Sequence, residues 1–245
     1  MKPAKAVVLA AGRGTRLQTE GCDLPKVMRR ANGAPLLHYV LQALSFLPAE
    51  DIVLVVGYGK EQVTTAFPGY PFAVQAQQLG TGDAVKAAFA AFPGYEGDLL
   101  VCCGDMPLIR RETYEALLQE HRGGTCTILC GTTELPLPYG RILRNENGGF
   151  AAIVEEKDCT PAQRSIQELN SGVYVFDAAA LAPILARLEC GNAQSEYYLT
   201  DAPGLLRAEG RDVRLCRRAL GTEIIGVNTL AQLADVERIL QERRP

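Results

Sequence analysis

The sequence is short of the features that mark several classes of protein. Its eight cysteines show no metal-ligand spacing and no CxxC pair, which argues against zinc and redox motifs. No apolar run approaches the roughly 18–20 residues that span a bilayer, and the N-terminus lacks a signal-peptide pattern. The formal net charge of −3 gives no general attraction to nucleic acid or anionic membranes. We therefore expect a cytoplasmic protein with reduced cysteines, no nucleic-acid partner and no membrane association.

The sequence also lacks internal repeats, low-complexity tracts and linkers. Its 245 residues, 47% of them hydrophobic and 22% charged, have the composition of an ordinary globular chain. We expect a single domain over residues 1–245, with a first half at 1–124, a second half at 125–228 and a C-terminal helix at 229–245.

Strand-like and helix-like segments alternate in the first half. Short apolar runs predict buried parallel strands in "KAVVLAA", "DIVLVVGYG" and "DLLVCCGD". Apolar residues at helical spacing predict helices in "APLLHYVLQALSFL", "GDAVKAAFAAF" and "RRETYEALLQEH". This rhythm predicts an α/β fold, with a Rossmann-like, mostly parallel mixed sheet and helices on both faces. His38 lies on an apolar helix face and is expected in the core.

Short strands and turns dominate the beginning of the second half. The segments "TCTILCGTT", "GRILRN", "FAAIVEEK" and "SGVYVF" predict either a mixed sheet or an added β-rich lobe. Helices are predicted again in "AAALAPILARL", "YYLTDAPGLLRAEG" and "TLAQLADVERILQERR".

The first predicted strand runs into a glycine-rich turn with basic residues, "LAAGRGTR". Gly12 and Gly14 allow a tight bend whose N–H groups can bind anionic oxygen, and Arg16 adds positive charge. The downstream "LPKV" supplies Lys26 as a further point charge for a phosphate. Ligands of parallel sheets bind beyond the carboxyl ends of the strands, where this turn would lie. A plain turn with solvated arginines is the alternative.

Three further segments carry polar side chains that bind ligands well. In "VQAQQLGTGDAV", the amide of Gln75 can both donate and accept, as reading a nucleobase edge requires. In "CCGDMPL", Asp105 ends a strand and is suited to Mg²⁺, which often takes only one or two protein ligands. In "IIGVNTL", Asn228 is predicted to follow a strand and precede a helix. For all three segments, capping of the following helix is the alternative, and for Asn228 it is favoured by the residues alone.

These motifs together carry a family resemblance. The pair "LAAGRGTR…LPKV" resembles the signature of the sugar-1-phosphate nucleotidyltransferases. The later segments resemble the uridylyltransferase domain of the bifunctional family that makes UDP-N-acetylglucosamine; they are "YGRIL", "IVEEKDCTPAQRSIQELNSGVYVF", "EYYLTD" and "GVN". The resemblance covers nearly the whole chain. It implies a nucleotide-diphospho-sugar transferase fold, with a nucleotide-binding first half and a β-rich, sugar-binding second half.

The resemblance also implies an activity and a set of residues. UMP would pass from UTP to N-acetylglucosamine-1-phosphate with the help of Mg²⁺, releasing pyrophosphate. The implied catalytic residues are Arg16, Lys26 and Asp105, and the implied metal ligands are Asp105 and Asn228. The implied sugar-binding residues are Gly140, Glu155 and Asn170. The implied nucleotide-binding residues are Leu9, Ala10, Ala11, Gly12, Gly14, Lys26, Gln75, Gly80, Thr81 and Gly104.

Two departures from the family pattern limit what the resemblance implies. The loop between Arg16 and Lys26 is longer than usual, and no hexapeptide repeat is present, so we expect the left-handed β-helix acetyltransferase domain to be absent. Whether the chain is a stand-alone enzyme or a piece of a longer one stays open, as does its oligomeric state. The alternatives are transfer to another hexose-1-phosphate from UTP or dTTP, a cytidylyltransferase, and a catalytically silent nucleotide-sugar sensor.

Overall fold

The computed structural model describes residues 4–17, 23–133, 135 and 137–243. The described residues form eleven β-strands, which are β1 (Ala4–Ala10), β2 (Arg30–Ala31), β3 (Ala34–Pro35), β4 (Ile52–Val56), β5 (Phe72–Val74), β6 (Asp98–Cys103), β7 (Cys126–Thr132), β8 (Arg141–Arg144), β9 (Phe150–Val154), β10 (Leu169–Asp177) and β11 (Val213–Ala219). They also form eight α-helices, which are α1 (Leu36–Ala43), α2 (Lys60–Ala66), α3 (Thr81–Ala88), α4 (Arg111–His121), α5 (Pro161–Arg164), α6 (Ala178–Leu185), α7 (Ala202–Ala208) and α8 (Leu230–Glu242).

A mixed β-sheet runs through the middle of the molecule. Within the described ranges it has nine strands in the order β11-β7-β10-β6-β1-β4-β5, with β8 and β9 branching from β10. The neighbouring strands β6, β1, β4 and β5 are parallel. Val7 and Val8 of β1 belong to hydrophobic clusters on opposite faces of the sheet, and both are fully buried. The predicted α/β fold with a mostly parallel mixed sheet is therefore confirmed.

The second half of the chain completes this sheet. β10 lies antiparallel between β6 and β7, and β11 lies parallel to β7 at the edge. The β8–β9 hairpin branches away through the pairing of Leu169 with Arg141. Because β10 runs against β6, its N-terminal end lies beside the carboxyl end of β6. Asn170, near the start of β10, therefore reaches the edge of the sheet where the loops of the first half lie.

Helices cover both faces of the sheet. One hydrophobic layer includes Val85 of α3 and Leu181 of α6, and the opposite layer includes Val40 of α1 and Leu117 of α4. α8 packs beside the small β2–β3 hairpin and buries Val236 in a third cluster. In the described part of the chain, no helix is long and apolar enough to cross a membrane.

Three local predictions are wrong. Tyr197 and Tyr198 do not lie in a helix, because the backbone of Tyr197 bonds across to the loop before α3 instead of along its own chain. The strand predicted just before Asn228 does not form, because the N–H of Gly226 donates to the Tyr139 hydroxyl and that of Val227 to the Asp105 carbonyl. His38 is exposed on α1, whereas His121 is the histidine that the fold buries.

Candidate active site

Two adjoining pockets lie at the carboxyl edge of the parallel strands. The front pocket has a volume of about 260 Å³ and the rear pocket about 190 Å³. The predicted residues that line the front pocket are Leu9, Ala11, Gly12, Lys26, Gln75, Gly80, Thr81 and Asp105. Those that line the rear pocket are Leu9, Thr81, Asp105, Gly140, Glu155, Asn170 and Asn228. Each pocket is smaller than the roughly 300–1,000 Å³ of typical ligand sites, so a ligand the size of a nucleotide sugar would have to occupy both.

Glycines of the front loop fix the position of Lys26. Gly14 has a φ of +68°, and a Cβ on it would lie 2.8 Å from the Cβ of Lys26. The backbone N–H of Lys26 donates to the carbonyl of Gly12 over 3.3 Å. Gly104 has no room either, since its Cβ would lie 3.0 Å from Val27 and 3.2 Å from the carbonyl of Leu9. Ala10, Gly14 and Gly104 line neither pocket. The two glycines instead allow the chain to pack closely beneath the pockets.

Lys26 stands at the junction of the two pockets. Its ammonium group forms an ion pair with the carboxylate of Asp105 and donates to Oδ1 of Asn228 over 2.8 Å. Arg16 lines neither pocket but donates to the same Oδ1 over 3.2 Å. The structure therefore brings together the four residues whose charge or metal-binding roles the sequence predicted. Residues 18–22, which include part of the longer loop, lie outside the described residues.

The capping alternatives for Asp105 and Asn228 are wrong. α4 begins at Arg111, six residues beyond Asp105, so Asp105 caps no helix there. Thr229 caps α8 through a hydrogen bond from the N–H of Gln232. Both side chains are left to face Lys26 instead.

The segment before α3 connects the front pocket to the second half of the chain. Gly80 has a φ of +115°, and a Cβ on it would lie only 2.6 Å from the carbonyl oxygen of Tyr197. The hydroxyl of Thr81 accepts a hydrogen bond of 3.0 Å from the N–H of Leu199. Gln75 is 5% exposed, and its amide donates to the Gly80 carbonyl over 3.0 Å and to Asp83 over 2.8 Å. Its NH₂ group therefore supports this segment, which leaves its carbonyl oxygen for a ligand.

The rear pocket is formed by side chains that hold one another. The amide of Asn170 donates to the hydroxyl of Tyr174 over 2.7 Å and accepts from the N–H of Gly172 over 3.2 Å. The N–H of Asn170 donates to the carbonyl of Gly140 over 2.8 Å, which fixes that wall of the pocket. The predicted sugar-binding residues are thus brought together around one cavity.

The electrostatics of the rear pocket are acidic. Burial raises the pKa of the Glu155 carboxyl, and the carboxylates of Asp201 and Asp158 raise it further. A hydrogen bond with Thr200 acts in the opposite direction on this pKa. Burial, followed by the nearby charge of Asp158, likewise raises the pKa of Asp201. This pocket suits a neutral, hydroxyl-rich group much better than a second phosphate.

Two residues that sequence reasoning missed also lie at the site. Cys103 lines both pockets, and burial, followed by the charge of Asp105, raises the pKa of its thiol. A thiol of this kind stays neutral and is a poor nucleophile. Tyr139 donates to the carbonyl of Ile224 over 2.9 Å and lines the rear pocket. Both residues lie within quoted segments, "CCGDMPL" and "YGRIL", but no pattern in those segments indicates their roles, because the roles depend on neighbours far away in the sequence.

The sequence matches a family model described as the MobA-like NTP transferase domain over residues 6–193. The chain belongs to this family. The description of this family names a nucleoside triphosphate as substrate but no particular base or acceptor. Membership therefore indicates a nucleotidyltransferase site without identifying its two substrates.

Among curated proteins, the chain is similar to several named bifunctional protein GlmU. It is 42% identical to that of Pelotomaculum thermopropionicum over 97% of this chain and 52% of the relative. It is also 42% identical to that of Bacillus cereus strain G9842, with the same coverage, and 43% identical to one from Synechococcus over 96% of this chain and 37% of the relative. The chain thus spans about half the length, or less, of these curated relatives.

A solved structure shares the fold at low sequence identity. It is UDP-glucose pyrophosphorylase complexed with UDP-glucose, with a TM-score of 0.73 and 18% identity. The match covers 98% of this chain and 99% of that chain. The NTP transferase domain described here therefore has the same overall arrangement of strands and helices.

Proposed function

We propose that the protein transfers UMP from UTP to N-acetylglucosamine-1-phosphate, giving UDP-N-acetylglucosamine and pyrophosphate. The observation that carries this proposal is the cluster of Lys26, Asp105 and Asn228 where the two pockets meet. A reaction that joins two phosphorylated substrates needs charge-neutralising groups at the boundary between their binding sites. We assign the uridine to the front pocket and the hexose to the rear pocket.

The polar groups of each pocket suit these assignments. In the front pocket, Gln75 would present its amide oxygen and Gln78 its amide to a nucleobase. The bend at Gly12 lies beside Lys26, which would face phosphate. In the rear pocket, the Glu155 carboxylate and the Thr200 hydroxyl are acceptors for sugar hydroxyl groups. The predicted nucleotide-binding and sugar-binding residues that line the two pockets keep their proposed roles on this basis.

Asp105 and Asn228 fit a divalent cation such as Mg²⁺. Their side-chain oxygens already converge on one cationic atom, the ammonium nitrogen of Lys26. The described residues contain no cluster of three or more His, Cys, Asp or Glu side chains for a metal. That suits Mg²⁺, which is often bound by one or two protein groups together with phosphate and water. When bound, the ion would neutralise charge on the reacting phosphates.

The proposed step is a direct displacement. A phosphate oxygen of the sugar phosphate attacks the α-phosphorus of UTP, and the bond from that phosphorus to the bridging oxygen breaks. The electron pair leaves with pyrophosphate. The attacking oxygen is already ionised, so no general base is needed, and positioning with charge neutralisation supplies the catalysis. Arg16 would stabilise the leaving pyrophosphate and Lys26 the α-phosphate.

Similarity to the relatives named bifunctional protein GlmU supports this choice of substrates. They match nearly all of this chain at about 42% identity, and the second-half motifs resemble the uridylyltransferase domain of the bifunctional family. The sugar-side motifs favour this choice over a cytidylyltransferase. The presence of all four charged and metal-binding side chains in one cluster disfavours a silent sensor.

The proposal is tested by pyrophosphate release with UTP and Mg²⁺, with and without N-acetylglucosamine-1-phosphate. We expect release that requires the sugar phosphate and formation of UDP-N-acetylglucosamine. Parallel reactions with CTP, dTTP and other hexose-1-phosphates should be much slower. Release with CTP alone, or with another sugar in preference, would refute the substrate assignment. Absence of release, together with a higher Tm in UDP-N-acetylglucosamine, would favour the sensor.

A further inference from the structure

The hydroxyl of Tyr139 bridges two backbone groups of one distant loop. It accepts a hydrogen bond of 2.7 Å from the N–H of Gly226 and donates one of 2.9 Å to the carbonyl of Ile224. We call residues 224–228 the ligand loop, because it carries Asn228. Tyr139 itself directly precedes Gly140, which lines the rear pocket. One side chain therefore joins the wall of the rear pocket to the loop that carries a proposed cation ligand.

The ligand loop has little regular structure to hold it in place. It belongs to no strand or helix, and α8 begins after it. Its backbone is tied to the site by the N–H of Val227, which donates to the Asp105 carbonyl over 2.9 Å. The Tyr139 hydroxyl supplies two further bonds, to Ile224 and Gly226. The N–H of Asn228 donates to Oε1 of Gln232 over 2.8 Å. The orientation of Asn228 thus depends on a small number of contacts.

Gly226 transmits this restraint directly to Asn228. Its N–H is bound by Tyr139, and its carbonyl accepts a 3.3 Å hydrogen bond from Nδ2 of Asn228. With Nδ2 engaged in this way, Oδ1 of Asn228 faces Lys26 and Arg16. The amide of Asn228 is therefore oriented by its own loop, and the loop by Tyr139.

The fit around Gly226 is close. A Cβ on Gly226 would lie 2.9 Å from the Tyr139 hydroxyl oxygen and 3.7 Å from Oδ2 of Asp105. The Tyr139 hydroxyl donates to one backbone group and accepts from the other at the same time. Gly226 is thus held between the hydroxyl group and the carboxylate of the proposed cation site.

We infer that Tyr139 is a positioning residue for the cation site, whose hydroxyl fixes Gly226 and, through Gly226, the amide oxygen of Asn228. This inference rests on the proposed function only in that Asp105 and Asn228 bind a divalent cation. Groups that orient metal ligands in this way typically change metal affinity or activity by about 10–100-fold when they are removed. Loss of the Tyr139 hydroxyl should therefore weaken cation binding while the aromatic ring keeps its packing.

The test is Mn²⁺ binding, measured by electron paramagnetic resonance on the full chain without substrates. Tyr139→Phe should bind Mn²⁺ about tenfold more weakly than the wild type. In the transfer assay it should need more Mn²⁺ for half-maximal rate, with kcat recovering at saturating Mn²⁺. Tyr39→Phe is the matched control, because its hydroxyl donates to the Ala31 carbonyl over 2.7 Å, away from both pockets. It should leave Mn²⁺ affinity unchanged.

Gly226→Ala provides a second approach, because the new methyl group would press on the Tyr139 hydroxyl. It should weaken Mn²⁺ binding, and combining it with Tyr139→Phe should cost less than the sum of the two single changes. Unchanged Mn²⁺ affinity in folded Tyr139→Phe, or a wild type that binds no Mn²⁺, would overturn the inference. A wild type that binds Mn²⁺ but releases no pyrophosphate would instead refute the proposed function and leave the Tyr139 comparison valid.

Discussion

The front and rear pockets are built by different means. The front pocket depends on backbone that passes close to other groups, as at Gly14 beside Lys26 and Gly80 beside Tyr197. The rear pocket depends on side chains such as Glu155 and Asn170, which come from separate segments of the second half. A backbone-built site needs particular residues at short spacing. A side-chain-built site needs separate strands and loops to meet in space, which the spacing of residues along the chain does not specify.

The two pockets also differ in charge. Lys26 lines the front pocket, together with Asp105 and Glu196, and Arg16 lies nearby beside Asn228. The rear pocket is lined by Glu155, which feels the charges of Asp201 and Asp158. We propose that this polarity orients the substrates, with the triphosphate at the basic end and the uncharged hexose at the acidic end. Asp105 lines both pockets and is where the two meet.

Removing the negative charge of Asp105, where the two pockets meet, should lower turnover more than any of the other substitutions. Asp105→Asn loses the carboxylate that pairs with Lys26 and is a proposed cation ligand. We expect turnover with Mg²⁺ to fall by about 1,000-fold, at the upper end for loss of one charge-stabilising group. Steady-state pyrophosphate release at several Mg²⁺ concentrations measures it. Full activity at ordinary Mg²⁺ would show that Asp105 is not a ligand.

The two arginines of the front loop offer a sharper comparison. Arg16 donates to Asn228, whereas the guanidinium of Arg13 stacks 4.9 Å from the ring centroid of Tyr58. Arg16→Ala should lower kcat by about 100-fold and change UTP affinity much less, as expected of a group that acts mainly in the transition state. Arg13→Ala is the matched control and should reduce kcat only slightly. Equal losses in kcat and affinity would contradict the proposed role of Arg16.

The difference between the backbone-built front pocket and the side-chain-built rear pocket also explains which features could be predicted from the sequence. Three of the four neighbouring parallel strands, β1, β4 and β6, follow from short apolar runs, and the front turn follows from its glycine spacing. The short strand β5 was not predicted. The approach of Asp105 to Asn228 could be inferred only from resemblance, because the two residues are 123 positions apart and no local pattern links them. The use of the Gln75 amide to hold Gly80 was not predictable, because it depends on a left-handed turn that forms only against Tyr197.

Gly80→Ala tests the backbone construction of the front pocket. The residue has a φ of +115°, and the added Cβ would meet backbone atoms of Tyr197 that cannot move aside easily. Strain of this kind costs about 1–3 kcal/mol, which corresponds to a Tm lower by roughly 5 °C in a chain of this size. UTP affinity should fall with it. Gly69→Ala is the control, because nothing lies within 4 Å of its Cβ, and its Tm should stay near the wild-type value.

Lys26→Met should separate two roles of the lysine. Its ammonium occupies the space between Asp105 and Asn228, where we propose that a divalent cation binds. Removing this competing charge should raise Mn²⁺ affinity several-fold in the absence of substrates, even though turnover falls. Calorimetric titration with Mn²⁺ measures the first effect and pyrophosphate release the second. Unchanged or weaker Mn²⁺ binding would show that Lys26 helps to hold the ligands rather than competing with the ion.

Glu155→Gln should change stability least among these variants. The direction of the change in Tm follows from the burial of the carboxyl group in the rear pocket. Burial raises the folded-state pKa of Glu155 above its ordinary value, so the ionised form destabilises the folded protein at neutral pH. The variant should therefore have a Tm higher by about 2 °C at pH 7. This advantage should shrink as the pH falls through the raised pKa, because the wild-type carboxyl then becomes neutral in the folded state as well.

The variant should also need more sugar phosphate for half-maximal rate while its need for UTP stays the same. A lower Tm at pH 7 would show that the ionised carboxylate does not destabilise the folded protein. A kinetic change confined to UTP would show that Glu155 does not belong to the sugar side.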